Sequence, residues 1–388
     1  MRKIVVHLIH SPVSAERFVQ PLVKCLNSNG VQTELWFENW PELEYFISAI
    51  DCPKRFVRFD LSINPFTVLT RCIGLLKRFL KCRPLAIHAH QTRAAFIPLL
   101  TALIAHVPTR VYCNGGTPYL GYWGPLRGLL WLLEYLNCCF ATHVITVSPS
   151  IRKKMIQHRI VRESKCEVLG KGSSCGIDLD EFSAEQFDKE HMLKSRQALE
   201  IAPDAYVVLY VGRPFKRKGF HTMLRAWKNM SHDGNNEDIL LIAGCSDKDV
   251  INVTKTTIKN VVALGYVKDL RFCYAACDIV VLPSWHEGFP YSLLEGAAAG
   301  RPLVGSDILG IDSIIIKNKN GLLVPLGDTK ALAEALVTLK SNPGLRENMG
   351  ESGRQYIEQH FNRKVFSSLF LDYYDRIGIK KHLTNPAK

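Results

Sequence analysis

Residues 278–306 read DIVVLPSWHEGFPYSLLEGAAAGRPLVGS. Two apolar runs, 278–284 and 301–306, bracket a segment that Pro290 can open as a helix and Gly300 can close. Proline is tolerated in the first turn of a helix, where its missing N–H has no partner to lose. Strand, loop, helix and strand in succession is the unit of a parallel sheet covered by helices. Such sheets bind ligands beyond the carboxyl ends of their strands. Glu287 then lies on a loop rim and Glu295 about one turn into the helix, both at the binding end. The amides that begin the helix, around Phe289 to Ser292, have no carbonyl before them and suit a diphosphate. Carboxylates repel phosphate but accept hydrogen bonds from sugar hydroxyls.

The same alternation extends in both directions. KIVVHLI (3–9), LAIHAH (85–90), TRVYCN (109–114) and THVITVS (142–148) are β-rich runs, each followed by a loop or helix. A helical pattern through Phe18, Leu22 and Leu26 stops at Gly30. A polar stretch from Asp178 to Arg196 interrupts the rhythm, which resumes with AYVVLYVGR (205–213), DILLIAGC (238–245) and VVALGYV (261–267). At 388 residues two domains are expected. The expected fold is α/β: two doubly wound, Rossmann-like domains, residues 1–190 and 191–362. In the final segment, 363–388, the helical spacing of RKVFSSLFLDYYDRIGI fits a helix packing back on the first domain.

Apolar residues make up 47% and charged ones 22%, which excludes a disordered chain. The twelve cysteines contain no C-x-x-C pair, and Cys138, Cys139, Cys273 and Cys277 lie in apolar segments. They read as reduced thiols of a cytoplasmic protein. The opening apolar run is too short for a signal-peptide core and reads as a strand. The longest apolar stretch, 129–147, is broken by Glu134, Asn137 and His143, so it is not expected to span a bilayer.

Net charge is +13, and its placement is uneven. Residues 52–171 carry 18 Lys or Arg against 4 Asp or Glu, while the remainder carries 31 against 32. Such a surplus solubilises the chain or faces something anionic, either ligand phosphates or acidic lipid headgroups. No nucleic-acid partner is expected. In NPFTVLTRCIGLLKRFLKCR (64–83), Phe66, Leu69, Ile73, Leu76 and Leu80 share one helical face. Arg71 and Arg78 lie opposite, with Lys81 on the flank and Lys77 at the border. A helix of this kind docks on its own domain or lies on an anionic membrane.

Cations for a diphosphate stand in the loop after the first strand of the second domain. VGRPFKRKGF (211–220) carries Arg213, Lys216, Arg217 and Lys218; Arg can bind phosphate bidentately and Lys as a point charge.

The stretch LPSWHEGFPYSLLEGAAAGRPLV (282–304) resembles the signature of family 4 glycosyltransferases, whose motif is Glu, seven residues, Glu. VGRPFKRKG resembles the family's G-R-x…K-G element, and NGLLVPLGDTKALAEAL (320–336) its N-G-x-L-v-p-x-G-D element. HAHQTRAAFIPLLTA (88–102) and VLGKGSSCGIDLDEF (168–182) look like the branch that builds capsule, O-antigen and lipid-linked glycans. The resemblance implies the GT-B fold, two Rossmann-like domains facing across a cleft. It also implies transfer with retention from a nucleotide-sugar donor, a UDP-sugar being expected, and no metal cofactor. Glu287 would touch the donor sugar at the reacting centre and Glu295 the ribose hydroxyls. Arg213 and Lys218 would neutralise the leaving diphosphate. Gly288, Phe289, Pro290, Ser292 and Leu293 would complete the donor site. The implied acceptor is a glycan linked to polyprenyl diphosphate, so the expected place is cytoplasmic, peripheral on the inner face of the membrane. Asp178 and Asp180 form an Asp-x-Asp, but within the inter-domain stretch, and are not read as metal ligands.

Some positions depart from the family pattern. HSPVSAERF (10–18) lacks the glycines usual after the first strand. The family's His-Gly falls in CNGGTPY (113–119), with Gly115 at the His position. Asn114, Gly115, Gly116, Thr117 and His90 are the candidates there for placing the sugar or the acceptor. Ser313 stands where relatives often carry an acid. A nucleotide-sugar epimerase of the same fold would not share the Glu-to-Glu signature, whereas a non-catalytic nucleotide-sugar-binding protein would differ only in making no product. A dehydrogenase is disfavoured because no G-x-G-x-x-G follows any strand.

Overall fold

The structure, a computed structural model, describes residues 4–62, 64–230 and 238–379. It divides into two compact units, Met1–Gly176 with Arg363–Lys388, and Ile177–Asn362. Each is an all-parallel sheet with helical crossovers, the doubly wound α/β class expected from the strand rhythm.

In the first unit the strands are β1 (Val5–Leu8), β2 (Thr33–Phe37), β3 (Lys54–Phe56), β4 (Ala86–His90), β5 (Thr109–Asn114), β6 (His143–Thr146) and β7 (Cys166–Glu167). Their order is β3-β2-β1-β4-β5-β6-β7. All four β1 residues and all five of β4 are buried, the condition of central parallel strands covered on both faces. The second unit has β8 (Val207–Val211), β9 (Ile239–Ala243), β10 (Val261–Ala263), β11 (Ile279–Leu282), β12 (Leu303–Ser306) and β13 (Gly321–Val324). Their order is β10-β9-β8-β11-β12-β13. The winding direction reverses between β1 and β4 in one unit and between β8 and β11 in the other. Crevices open at such reversals, beyond the carboxyl ends of the strands.

The expected boundary at residue 190 falls inside the second unit. The polar stretch before it is folded rather than a linker. Phe182 and Phe187 stack at 5.7 Å, and Phe182 also meets Tyr274. In the helix Lys189–Ala198, Arg196 is buried and pairs with Asp278 at 2.9 Å. The chain returns at residue 363, and the helix Arg363–Arg376 packs in the first unit.

That return closes a buried polar network. His7 and His88 are register partners on β1 and β4, and His90 shares the His88 face. His7 Nδ1 lies 3.1 Å from His90 Nε2, while the Tyr374 hydroxyl lies 3.0 Å from both His7 Nε2 and His88 Nδ1. The hydroxyl can donate to one ring and accept from the other. Burial lowers the pKa of all three imidazoles, His90 to about 3, and neighbouring imidazoles push His7 and His88 further down.

Neutral histidines buried in the native state make it sensitive to acid. Unfolded imidazoles titrate near 6.5, so this stability is fully present above that pH and is lost as pH falls below it. Each such histidine adds about 1.4 kcal/mol per pH unit, so three add roughly 4 kcal/mol per unit below pH 6. Urea unfolding between pH 7 and 5 should show this fall. His7→Gln should reduce its slope by about 1.4 kcal/mol per pH unit.

Candidate functional site

The second unit brings three loops together at the β8–β11 reversal. Tyr210 on β8 sets its hydroxyl 3.3 Å from the Arg213 carbonyl oxygen and 3.2 Å from that of Lys218, bracing both ends of the basic loop. Gly219 then turns the chain at φ +72 into the helix Phe220–Asn229. A Cβ there would lie 1.9 Å from the Pro283 carbonyl oxygen. Glycine thus lets the basic loop lie directly on the loop that follows β11. Hydrogen bonds stitch the two: Trp285 N–H donates to the Arg217 carbonyl at 2.8 Å, and Arg217 Nη1 to the His286 carbonyl at 3.0 Å. The third loop arrives at Gly310, φ +89, where a Cβ would meet the Gly288 carbonyl oxygen at 2.3 Å.

Glu287 is at the centre of this arrangement and only 6% exposed. Lys218 Nζ and Ser284 Oγ each donate to its Oε1 at 2.7 Å. A buried carboxylate needs such partners; removing Lys218 would leave an unpaired charge, a loss of about 3–5 kcal/mol. Glu295, on the helix Tyr291–Ala298, receives the Tyr274 hydroxyl at 2.8 Å. Burial first, and then the Glu295 charge, hold the Tyr274 pKa well above the ordinary value, so it remains a donor. Arg213 is exposed, its guanidinium 4.9 Å over the Phe215 ring.

Pro290 is the residue before the helix rather than its first turn; its carbonyl accepts from the Leu293 and Leu294 amides. Phe289 packs on Phe361 at 5.4 Å and the Leu293 side chain is fully buried. These two therefore shape the loop from beneath, while Gly288 and Ser292 are partly exposed. The sequence reading passed over Tyr210, Gly219, Tyr274 and Ser284. Of these, Ser284 at the end of DIVVLPS and Gly219 closing the basic loop carried a positional signal.

The first-unit candidates are arranged differently. Asn114 and Thr117 are fully buried and His90 nearly so, whereas Gly115 is exposed. Asn114 donates to Glu134 at 2.6 Å and accepts from the Gly116 N–H at 3.0 Å. Gly115 lacks a positive φ, and a Cβ there would meet nothing within 4 Å. Among the described residues, His7, His88 and His90 are close enough to share a metal, with nitrogens within 4.8 Å of one another. An ion would lie in each ring plane at about 2.0–2.1 Å. The His88 and His90 rings stack at 4.3 Å with planes 7° apart, so no point serves both. The cluster is a hydrogen-bonded core.

Two family models match, "Glycosyl transferases group 1" over residues 192–356 and "Glycosyltransferase Family 4" over residues 15–181. The chain belongs to the family 4 glycosyltransferases. It is 29% identical over 304 residues to the capsular polysaccharide biosynthesis glycosyltransferase CapM of Staphylococcus aureus, covering 77% of this chain and 79% of CapM. It is 26% identical over 386 residues to the N,N'-diacetylbacillosaminyl-diphospho-undecaprenol alpha-1,3-N-acetylgalactosaminyltransferase of Campylobacter jejuni, 95% of this chain and 98% of that one. In fold it resembles HepE of Anabaena, solved with UDP and glucose, at TM-score 0.80 and 17% identity over 96% of this chain and 100% of that one. The glycosyltransferase thus has the GT-B class of fold expected from its motifs.

The two glycines of interest should respond oppositely to alanine. Gly219→Ala meets both a carbonyl and a left-handed φ, and should cost at least about 2 kcal/mol in urea unfolding. Gly115→Ala should stay within about 0.5 kcal/mol of wild type.

Proposed function

We propose that this glycosyltransferase moves a sugar from a UDP-sugar, with retention, to a polyprenyl-diphosphate-linked glycan in surface-polysaccharide synthesis. The observation that carries the reading is the Lys218–Glu287 pair at 2.7 Å, which joins the basic loop after β8 to the first acid of the family's Glu-to-Glu motif at the strand reversal. Lys218 and Arg213 neutralise the departing diphosphate, which also meets the first amides of the helix Tyr291–Ala298. These two cations then supply the charge a metal would, and we propose that none is required. Glu287 faces the donor sugar, and Glu295, oriented by Tyr274, receives the ribose hydroxyls. HepE, solved with UDP and glucose, supports the donor class. The Campylobacter relative, whose name carries a diphospho-undecaprenol acceptor, supports the acceptor class, and CapM the pathway.

We further propose peripheral attachment to the cytoplasmic face of an anionic membrane. Among the described residues, no helix is long and apolar enough to cross one. The helix Pro65–Cys82 docks through Leu75 and Phe79, leaving Phe66 (77% exposed), Leu69, Ile73 and Leu80 outward. The helix Thr92–Ile104 packs between it and the helix Gly124–Phe140. There Trp123 (84% exposed), Leu126, Leu129 and Leu132 also face outward. From Leu61 to Arg162 the sole acid is Glu134, which is buried. Apolar positions beside exposed basic side chains suit a bilayer interface; the acids bordering the helix Pro65–Cys82 are paired, Asp60 with Arg71 and Glu34 with Arg55. Arg71, read from the sequence as part of the solvated basic face, instead pairs with Asp60. The exposed cations of that helix are Lys77, Arg78 and Lys81.

Thermal stabilisation by a panel of UDP- and GDP-sugars tests the donor, since a bound ligand raises stability; stabilisation by GDP-sugars alone overturns the UDP reading. Arg213→Ala and Lys218→Ala should each cost about 3 kcal/mol in kcat/KM. Glu295→Ala should raise KM, and Glu287→Ala should lower kcat with a smaller effect on nucleotide affinity. UDP binding lost in the Glu287 variant and intact in the Glu295 variant would reverse the two roles.

Attachment is tested by vesicle co-sedimentation. Each basic side chain near an anionic surface contributes about 1 kcal/mol, so pelleting should need anionic lipid and weaken in salt. Reversing Lys77, Arg78 and Lys81 to Glu should abolish it while sparing transfer to a soluble acceptor analogue. Equal pelleting with neutral vesicles, insensitive to salt, would refute the electrostatic part.

A further inference from the structure

At the β1–β4 reversal the backbone leaves regular geometry on both sides. Beyond β1 a helix opens at Pro12 and passes into a π-helical turn, Ala15–Val19, a feature frequent at functional sites. Beyond β4, Gln91 sits at φ +67 and ψ 143, a strained state for a residue other than glycine. Its Nε2 donates to Ser14 Oγ at 3.3 Å and ties the two loops together. Asn114, Thr117 and His90 are buried and cannot meet a ligand there. His10, two residues past β1, keeps 31% of its side chain exposed.

The His10 ring is held from two sides. Its Nδ1 is buried 3.6 Å from Glu38 Oε2, an ion-pair distance rather than a hydrogen bond. Glu38, just past β2, is 7% exposed, and its Oε1 accepts the Phe59 and Asp60 N–H groups at 2.9 Å each. Burial raises the Glu38 pKa, yet the His10 side chain and those two amides bring it down to about 2. It is therefore a carboxylate. Trp40, partly exposed, makes a T-shaped contact with the imidazole at 4.8 Å. With Nδ1 turned inward to Glu38, the open edge of the ring is the one that carries Nε2.

We propose that His10 is a sugar-binding residue of the first unit, its Nε2 hydrogen-bonding one hydroxyl of the acceptor while Trp40 lies beside the sugar ring. The class of ligand rests on the reading above, that the acceptor is a glycan.

The surroundings favour a hydroxyl over a phosphate. Among the described residues, the charge within ion-pair reach of the ring is the Glu38 carboxylate, which repels an anion. The next acid, Asp60, is paired with Arg71. A hydroxyl both donates and accepts, so it bonds the imidazole in either protonation state. An aromatic wall beside a single oriented polar group is the usual make-up of a small-ligand site, and the carboxyl end of a strand at a reversal is where such sites form.

The test is NMR on the full chain with isotope-labelled histidine side chains, His10 being assigned by its absence from His10→Gln. The probes are the methyl glycosides of glucose, galactose and N-acetylglucosamine, and inorganic phosphate, each added in the presence of UDP. At least one glycoside should shift the His10 Nε2 resonance saturably, and phosphate should not. No shift with any glycoside, or a shift with phosphate alone, overturns the proposal. Monodeoxy derivatives of the glycoside that binds then locate the contact. Wild type should bind one of them about tenfold more weakly than its parent, the scale of one hydrogen bond. The amide of His10→Asn reaches only the Nδ1 position, so this variant should bind that derivative and its parent alike. The amide of His10→Gln reaches the Nε2 position and should keep part of the preference. Undiminished discrimination in His10→Asn overturns the assignment, since a merely structural role would weaken every glycoside in proportion. If neither variant folds, the wild-type signal, assigned through its contact with Trp40, decides alone: the derivative lacking the bonded hydroxyl should not move it. Saturation transfer to the glycosides separates the two readings. A glycoside that binds without moving His10 overturns this proposal and leaves the acceptor class standing. Wild type that binds no UDP by calorimetry removes the donor reading and leaves the His10 result in place.

Discussion

Lys218 and Glu287 are 69 residues apart in sequence and 2.7 Å apart in space. The rest of the second unit is arranged so that they can meet. Neither side chain tolerates burial alone, so the two loops that carry them must end at the same point. Parallel pairing of β8 with β11 sets their starting positions, and the missing side chain at Gly219 removes the last obstacle. Tyr210, Arg217 and Trp285 hold the backbone there. A charge pair held this way is preorganised: the cost of assembling it is met during folding.

The two units use the same topological device to different ends. At the β8–β11 reversal the chain concentrates charge near solvent. At the β1–β4 reversal it places three uncharged imidazoles under a tyrosine from a distant helix. The second arrangement is buried, and burial disfavours the protonated form of all three rings. The polarity expected at a parallel sheet's reversal point is thus realised as a buried hydrogen-bond chain in one unit and as an ion pair in the other.

Much of this was legible in the sequence because central parallel strands are runs of buried β-branched residues. Every strand with four or more consecutive apolar residues was read. Those missed have local reasons. Thr33–Phe37 interrupts its apolar run with Glu34, which pairs with Arg55 on the neighbouring strand. Lys54–Phe56 is an exposed edge, Cys166–Glu167 is two residues long, and Gly321–Val324 has only three apolar side chains between Gly321 and Pro325. The Glu-to-Glu spacing and the basic loop marked one pole of the candidate site. What spacing could not reveal was engagement: that Asn114 and His90 are committed inside the core, and that Arg71 is taken by Asp60. Those outcomes depend on side chains from elements far away in the chain, for which a local pattern holds no information.

The return of residues 363–376 to the first unit has a bearing on biogenesis. Domains are generally completed in the order in which they are made, yet here the first unit's last helix is synthesised after the whole of the second. Until Tyr374 arrives, His7 Nε2 and His88 Nδ1 lack the hydroxyl that bridges them in the finished protein. The nascent first unit must therefore wait, incomplete, while its neighbour folds. A fragment ending at residue 176 would be arrested at that same stage, which makes the seam at 362–363 as much a part of the first unit's folding as its own sheet.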